Sequence, residues 1–351
     1  MPVIQLFVSF FFISQCFLQP SFNEEKWLEN IQKTDSSVLY ASNTDSGGKF
    51  FNPWITAPGF RVNGSWQLYK LYTLGQKYDI FPEEDYSFVE NDYAYLSDDK
   101  FDSISFAGHA SVIVKMNRET VFTDPFFSDR ALVAKKKVFI NFDFSKVPQN
   151  PVVLISHNHY DHLDKYSVEE LAKKGASFIV PLGLKSFFLD LGITEVHELN
   201  WWEEIRIGEI KYTLLPNQHL SRRMGSASSE TLWGSYLMEG SKTVYFSGDT
   251  AYFPGFSEYG RLYDIDYALL GAGSSQPRWF MYRTHMNTDD FFRAASDLGA
   301  KAAIPIHFGI IKMTDEPVLY PLYEVKKILQ NNPEYSQRIF PLRAGEYIKI
   351  D

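Results

Sequence analysis

From about residue 102 onward the chain is written as short apolar runs cut by turn-forming residues. The runs at 103–107, 111–116 and 120–123 have strand length, and Asn117-Arg118 between the last two predicts a hairpin turn. The run at 152–156 is apolar throughout until its last residue, the pattern of a strand buried on both faces. Further strands are predicted at 177–181, 195–199, 204–207, 210–215, 233–238, 243–247, 266–271 and 301–306. Helical spacing occurs at 23–33, 65–75, 167–174, 183–190, 288–298 and 320–330. This order is neither a strict βαβα repeat nor all-β. It predicts an α/β protein of four layers, αββα, in which two sheets pack together and helices cover their outer faces.

Residues 22–100 are more polar and rich in turn formers, and read as an N-terminal extension (21–100) packing on a catalytic domain (101–351). Residues 3–18 are almost wholly apolar, too short for a comfortable membrane span and right for a signal-peptide core. The expectation is export to the cell envelope or secretion, with 1–20 retained as a membrane anchor as the alternative. Asn63-Gly64-Ser65 fits a glycosylation acceptor.

Composition narrows the function. With 45% hydrophobic and 17% aromatic residues, the chain builds a large core and is not disordered. A formal net charge of −9 and the lack of a basic face argue against nucleic acid as a partner. The longest basic run, Lys135-Lys136-Lys137, reads as a solvated loop. Cys16 is the only cysteine, so no intramolecular disulfide forms and any zinc ligands are His or carboxylate.

The chemistry concentrates in His157-Asn158-His159-Tyr160-Asp161-His162, at the end of the 152–156 run. In an extended loop His157 and His159 point to one side, while Asp161 and His162 follow as the chain turns, placed for a second ion. Imidazole with carboxylate suits zinc, with iron or manganese as alternatives. Three more polar residues end apolar strands: His219, Asp249 and His307. As a set they complete two sites, His157, His159 and His219 for one ion and Asp161, His162 and His307 for the other, with Asp249 bridging. Asp124, ending the 120–123 run, is expected to accept the free N–H of a ligating histidine, or else simply to start an Asp-Pro turn.

The order of this signature resembles that of the metallo-β-lactamase superfamily. The text resembles one branch more closely, the N-acylphosphatidylethanolamine-hydrolysing phospholipase D family. The matching blocks include Phe51-Asn52-Pro53-Trp54, Gly108-His109-Ala110, Thr123-Asp124-Pro125, Trp201-Trp202-Glu203-Glu204, Leu232-Trp233-Gly234-Ser235, Gly248-Asp249-Thr250 and Pro277-Arg278-Trp279-Phe280-Met281. The likeness covers roughly residues 48–350. It implies a four-layer metallo-β-lactamase sandwich holding two zinc ions. It also implies phospholipase D-type cleavage of N-acylphosphatidylethanolamine-like lipids to phosphatidic acid and N-acylethanolamine. Hydrolysis of another ester, a lactone or a cyclic phosphodiester on the same site is the alternative. The partners expected are a phospholipid substrate and a membrane surface, and a homodimer is compatible with them. The resemblance places His285 near the substrate phosphate, where it would assist the leaving oxygen as Asp161 orients the nucleophile. It gives His109 no metal role, leaving a pocket-floor or structural histidine. Trp279 and Phe280, with Phe51, Trp54, Ile55 and Phe60, are candidates for contact with lipid. The segment 271–276 is longer than the family pattern and is expected to border the pocket.

Overall fold

The computed structural model describes residues 23–55, 78–98, 100–138, 142–225 and 228–350. The apolar 1–20 segment, Phe60, Asn63-Gly64-Ser65 and the helix expected at 65–75 lie outside these residues. Residues Asp35–Asp351 form one compact unit. Of the other, Met1–Thr34, the described part is the helix Glu24–Gln32, capped by the Asn23 side chain.

The strands in chain order are β1 (Asp102–Gly108), β2 (Ser111–Met116), β3 (Glu119–Thr123), β4 (Arg130–Ala131), β5 (Ala134–Lys135), β6 (Val152–Leu154), β7 (Ser177–Pro181) and β8 (Val196–Leu199). They continue with β9 (Glu204–Ile207), β10 (Ile210–Leu215), β11 (Ser235–Glu239), β12 (Thr243–Phe246), β13 (Tyr267–Gly271), β14 (Ala302–Ile306) and β15 (Tyr347–Ile350). One sheet runs β15-β1-β2-β3-β6-β7-β8 and a second runs β14-β13-β12-β11-β10-β9, with β4-β5 as a separate hairpin. Asn117 and Arg118 both take positive φ, the turn geometry that carries β2 into β3 without splaying them.

Side-chain alternation gives each sheet two buried faces. On the first sheet Ile113, Phe122, Val153 and Phe178 pack with Val168, Leu171 and Phe188, contributed by the helices Lys165–Ala172 and Lys185–Asp190. The helices Gly255–Leu262, Thr288–Asp297 and Tyr320–Asn331 cover the second sheet. Between the sheets the Tyr236 hydroxyl, on β11, lies 3.0 Å from the Ile155 and Ile179 carbonyl oxygens of the first sheet. The result is the four-layer αββα sandwich.

The helix Gly255–Leu262 and strand β15 have no counterpart among the elements predicted from sequence. Gly255 and Gly260 mask the helix, which forms because Phe256 and Tyr259 are buried beneath it. β15 exists through its pairing with β1, some 245 residues away in sequence, as in Asp102 opposite Ile350. Residues 35–55 bind along the second sheet. Tyr40 stacks on Trp202 at 4.5 Å, and Trp54 sits between Trp201 and Phe253. Trp54 is therefore buried core and not a lipid contact, because its ring completes an aromatic cluster and its Nε1 donates to Gln218. Phe51 stays exposed and Ile55 half-buried.

Replacing Tyr236 with Phe removes a buried hydroxyl that joins the sheets, and is expected to cost about 1–2 kcal/mol of stability. Urea denaturation monitored by tryptophan fluorescence measures it.

Candidate metal centre

β1, β3, β6, β10, β12, β13 and β14 all deliver their C-terminal ends to the same edge of the sandwich, since each is parallel to the next or separated from it by one antiparallel strand. Polar residues just past these ends meet in the crevice between the sheets. His109 follows β1, Asp124 β3, His157 to His162 β6, His219 β10, Asp249 β12 and His307 β14. Of the eight histidines in the chain, only His197 lies elsewhere. Two glycines make the approach close enough. A Cβ on Gly248 would stand 2.6 Å from that of Ser156, and one on Gly108 2.6 Å from an Ile310 methyl. Both glycines also take positive φ.

Asp249 is the hub. Its Oδ2 lies 3.1 Å from His162 Nε2, 3.8 Å from His219 Nε2 and 3.9 Å from His157 Nε2, and its Oδ1 lies 2.9 Å from His307 Nε2. Around it the donors fall into two groups, each with ligand atoms within 4.8 Å of one another: His157, His159, His219 and Asp249, and His109, Asp161, His162 and His307. The structure thus brings together all seven residues expected to hold metal, and adds His109. That histidine accepts the His307 amide on its carbonyl oxygen and donates its own amide to the Phe308 carbonyl oxygen, both at 2.7 Å, and its Nε2 meets Asp161 Oδ2 at 2.7 Å. It is fully buried and fixes the position of the Asp161 carboxylate by that hydrogen bond.

The ring orientations are set from behind. Asp124 receives His162 Nδ1 at 2.7 Å and the Ser156 amide at 2.6 Å. The Ser156 hydroxyl meets His157 Nδ1 at 2.9 Å. His219 Nδ1 faces the Thr284 carbonyl at 3.1 Å and His307 Nδ1 the Gly273 carbonyl at 3.4 Å, so the 271–276 segment does border the site. Four imidazoles therefore present Nε2 inward, while His159 presents Nδ1, 2.8 Å from His157 Nε2. Despite those short separations, His162 Nε2, His307 Nε2 and Asp249 Oδ1 are buried without a well-directed hydrogen bond among the described residues. Unpaired donor atoms converging in the interior are costly unless a cation holds them, and the set fits divalent metal.

Electrostatics agree with that fit. Burial holds the His157 and His219 imidazoles well below the usual histidine range, and His159 below it, which keeps lone pairs free. Burial pushes the Asp161 and Asp249 carboxyls up, but the neighbouring histidines outweigh it and hold both well below the usual range. Burial likewise opposes charge on His162, and Asp249, Asp161 and Asp124 together overcome it, so His162 is raised. A bound cation would take over the role of that proton.

Several supporting residues escaped sequence reasoning. Asn52 donates to the His219 carbonyl oxygen at 2.8 Å. Arg223 donates to the carbonyl oxygens of Asn158 and Leu163, at 2.9 and 3.0 Å, and lies over the Tyr160 ring at 4.0 Å. It thereby clasps both ends of the loop that carries the ligands. The one available signal was position, Arg223 standing four residues past His219. On the solvent side His285 places Nδ1 3.9 Å from Asp249 Oδ2, and its imidazole is pushed down to about 3, chiefly by burial. Arg278, ion-paired with buried Asp290, fixes this histidine by donating to its carbonyl oxygen at 2.9 Å. The adjacent Trp279 is half-buried and Phe280 exposed.

Fold and donor set together are those of metal-dependent hydrolases. Residues 119–308 match the family described as the Beta-lactamase superfamily domain, over more than half of the chain, and the chain belongs to that superfamily. Within it, the N-acyl-phosphatidylethanolamine-hydrolyzing phospholipase D 1 of Caenorhabditis elegans is 31% identical over 253 residues, 66% of this chain and 71% of that protein. An uncharacterized protein of Mycobacterium tuberculosis is 30% identical over 228 residues, and the chain spans 60% of its length. Among solved structures, a metallo hydrolase from Ignicoccus hospitalis shares the fold with a TM-score of 0.56 at 18% identity, over 72% of this chain and 99% of that one.

Changing Asp124 to Asn weakens the grip on His162 Nδ1 while keeping the side chain's shape. Metal affinity is expected to fall about 10–100-fold, read by competition with a chromophoric chelator.

Proposed function

We propose that this protein is a dinuclear metal-dependent phosphodiesterase of the phospholipase D type. It would cleave N-acylphosphatidylethanolamine-like phospholipids to phosphatidic acid and an N-acylethanolamine. The observation that carries the hydrolytic reading is the convergence of five imidazoles on the paired carboxylates Asp161 and Asp249. The substrate class is supported by the likeness to the Caenorhabditis elegans phospholipase D.

His157, His159 and His219 would hold one cation and Asp161, His162 and His307 the other, with Asp249 shared. Zinc fits the nitrogen-rich set, and iron or manganese would also suit it. When bound, the two cations supply Lewis-acid charge that activates a water and offsets the charge developing on the phosphoryl oxygens. Asp161, steadied by His109, orients the attacking water. A bond forms from the water oxygen to phosphorus as the bond to the ethanolamine oxygen breaks, and the water's proton ends on the departing alcohol. His285 is neutral, partly solvent-exposed and carried on a segment pinned by Arg278. It would donate a hydrogen bond to the leaving oxygen, a role that its closeness to Asp249 and its pinning by Arg278 support.

Incubation with a mixed phospholipid extract, followed by lipid mass spectrometry, is expected to show phosphatidic acid and N-acylethanolamine appearing in equal amounts. Activity on lactones with none on phosphodiesters overturns the reading. His157→Ala and Asp249→Asn are expected to lose metal, measured by elemental analysis, and to fall to background activity. His285→Ala is expected to keep its metal and lose about 100-fold or more in kcat.

A further inference from the structure

The hairpin β4-β5 turns through two apolar residues, Leu132 and Val133, between the paired Ala131 and Ala134. Val133 is 85% exposed and Leu132 45%. Leu132 holds φ at +52°, where a two-residue hairpin turn favours glycine. Turn chemistry would place glycine or asparagine here, and solubility would place a polar side chain. An unshielded branched pair at a projecting tip satisfies neither.

The surroundings are basic in an otherwise acidic chain. Arg130, Lys135, Lys137 and Lys312 are exposed, and none of them makes an ion pair among the described residues. The acidic residues adjoining them in sequence are the exposed Asp129 and the half-buried Asp315. Met313, 42% exposed, lies two residues past Ile311, which bridges to Lys136. The run 135–137 is thus not a uniform solvated loop. Its middle residue is buried, because Lys136 Nζ reaches the Phe126 carbonyl oxygen at 2.8 Å and sits 4.5 Å from the centre of the Phe126 ring.

That buried lysine ties the hairpin to the metal centre. Phe126 lies two residues past Asp124, and its ring is 6.2 Å from that of His109. On the other side the Lys137 amide donates to the carbonyl oxygen of Ile310, three residues past His307, at 2.7 Å. The tip is therefore fastened to the two strand ends that frame one side of the site.

We propose that this hairpin is a membrane-contact element fitted to an anionic bilayer. Leu132 and Val133 enter the boundary between headgroups and acyl chains, with exposed Met313 on the adjoining segment, and Arg130, Lys135, Lys137 and Lys312 meet lipid phosphates. A protein partner could cover the apolar tip, but two exposed branched side chains, with four exposed cations on the hairpin and on the segment bridged to it that form no ion pair among the described residues, match a surface that is apolar within and anionic at its face. The proposal rests on the phospholipid reading for why a bilayer would be met. It adds the site at which lipid would be drawn toward the metals.

The test uses the full chain and no turnover, so that it fails separately from the hydrolytic reading. A Val133→Cys variant on a Cys16→Ser background carries an environment-sensitive fluorophore at the tip, and Glu334→Cys carries it at a remote exposed position. On vesicles of phosphatidylcholine with phosphatidylglycerol, the tip probe is expected to brighten and shift to the blue while the remote probe stays unchanged. In about 1 M salt, where the screening length is about 3 Å, the response is expected to weaken strongly. With the probe at Val133, Lys135→Glu/Lys137→Glu is expected to raise the vesicle concentration needed by at least about tenfold. With unlabelled protein, Leu132→Ser/Val133→Ser is expected to weaken vesicle co-sedimentation by about tenfold while its melting temperature matches that of the wild type. A tip probe indifferent to these vesicles, or insertion untouched by the charge reversal, overturns the proposal.

Discussion

One buried carboxylate, Asp249, sets the terms for the rest of the site. It stands within 4 Å of five imidazoles in an interior that solvent scarcely reaches. An interior of that kind does not tolerate unpaired charge, and the surrounding nitrogens present lone pairs as much as protons. The arrangement suits bound cations. Much of the local architecture follows from that requirement, including the glycines at 108 and 248 that let the two sheets close on it.

The tautomers show how many parts of the chain are committed to this point. Each inward-facing Nε2 depends on what holds the Nδ1 behind it, and those holders come from four separate places: the turn after β3, the end of β6, the segment before His285 and the 271–276 loop. The ligands are therefore coupled through backbone as well as through any shared ion. The same segments that orient the donor histidines also carry His285 and the exposed Phe280, so the geometry of the donor set and the placement of these two residues are not independent.

The donor residues were legible in the sequence because they cluster in the short polar segments that follow apolar runs, and strand periodicity survives without tertiary information. The hairpin at Asn117-Arg118 was legible for the same reason. What escaped depends on contacts between distant segments. β15 is a strand only because β1 lies open beside it, the helix at 255–262 forms despite its glycines because its aromatic face is buried, and Trp54 looks like a surface aromatic until its neighbours on Trp201 and Phe253 are known. His109 was visible as a residue but not as a partner of Asp161, since 52 residues separate the two. Lys136 was hidden inside a basic triplet whose outer members do face solvent.

Arg223 gives the ligand loop a further property. With Asn158 and Leu163 both tethered to one guanidinium, and Tyr160 laid flat against it, the span between them has little freedom left to surrender. One side chain outside the donor set thus governs how tightly the spacing of His157, His159, Asp161 and His162 is held.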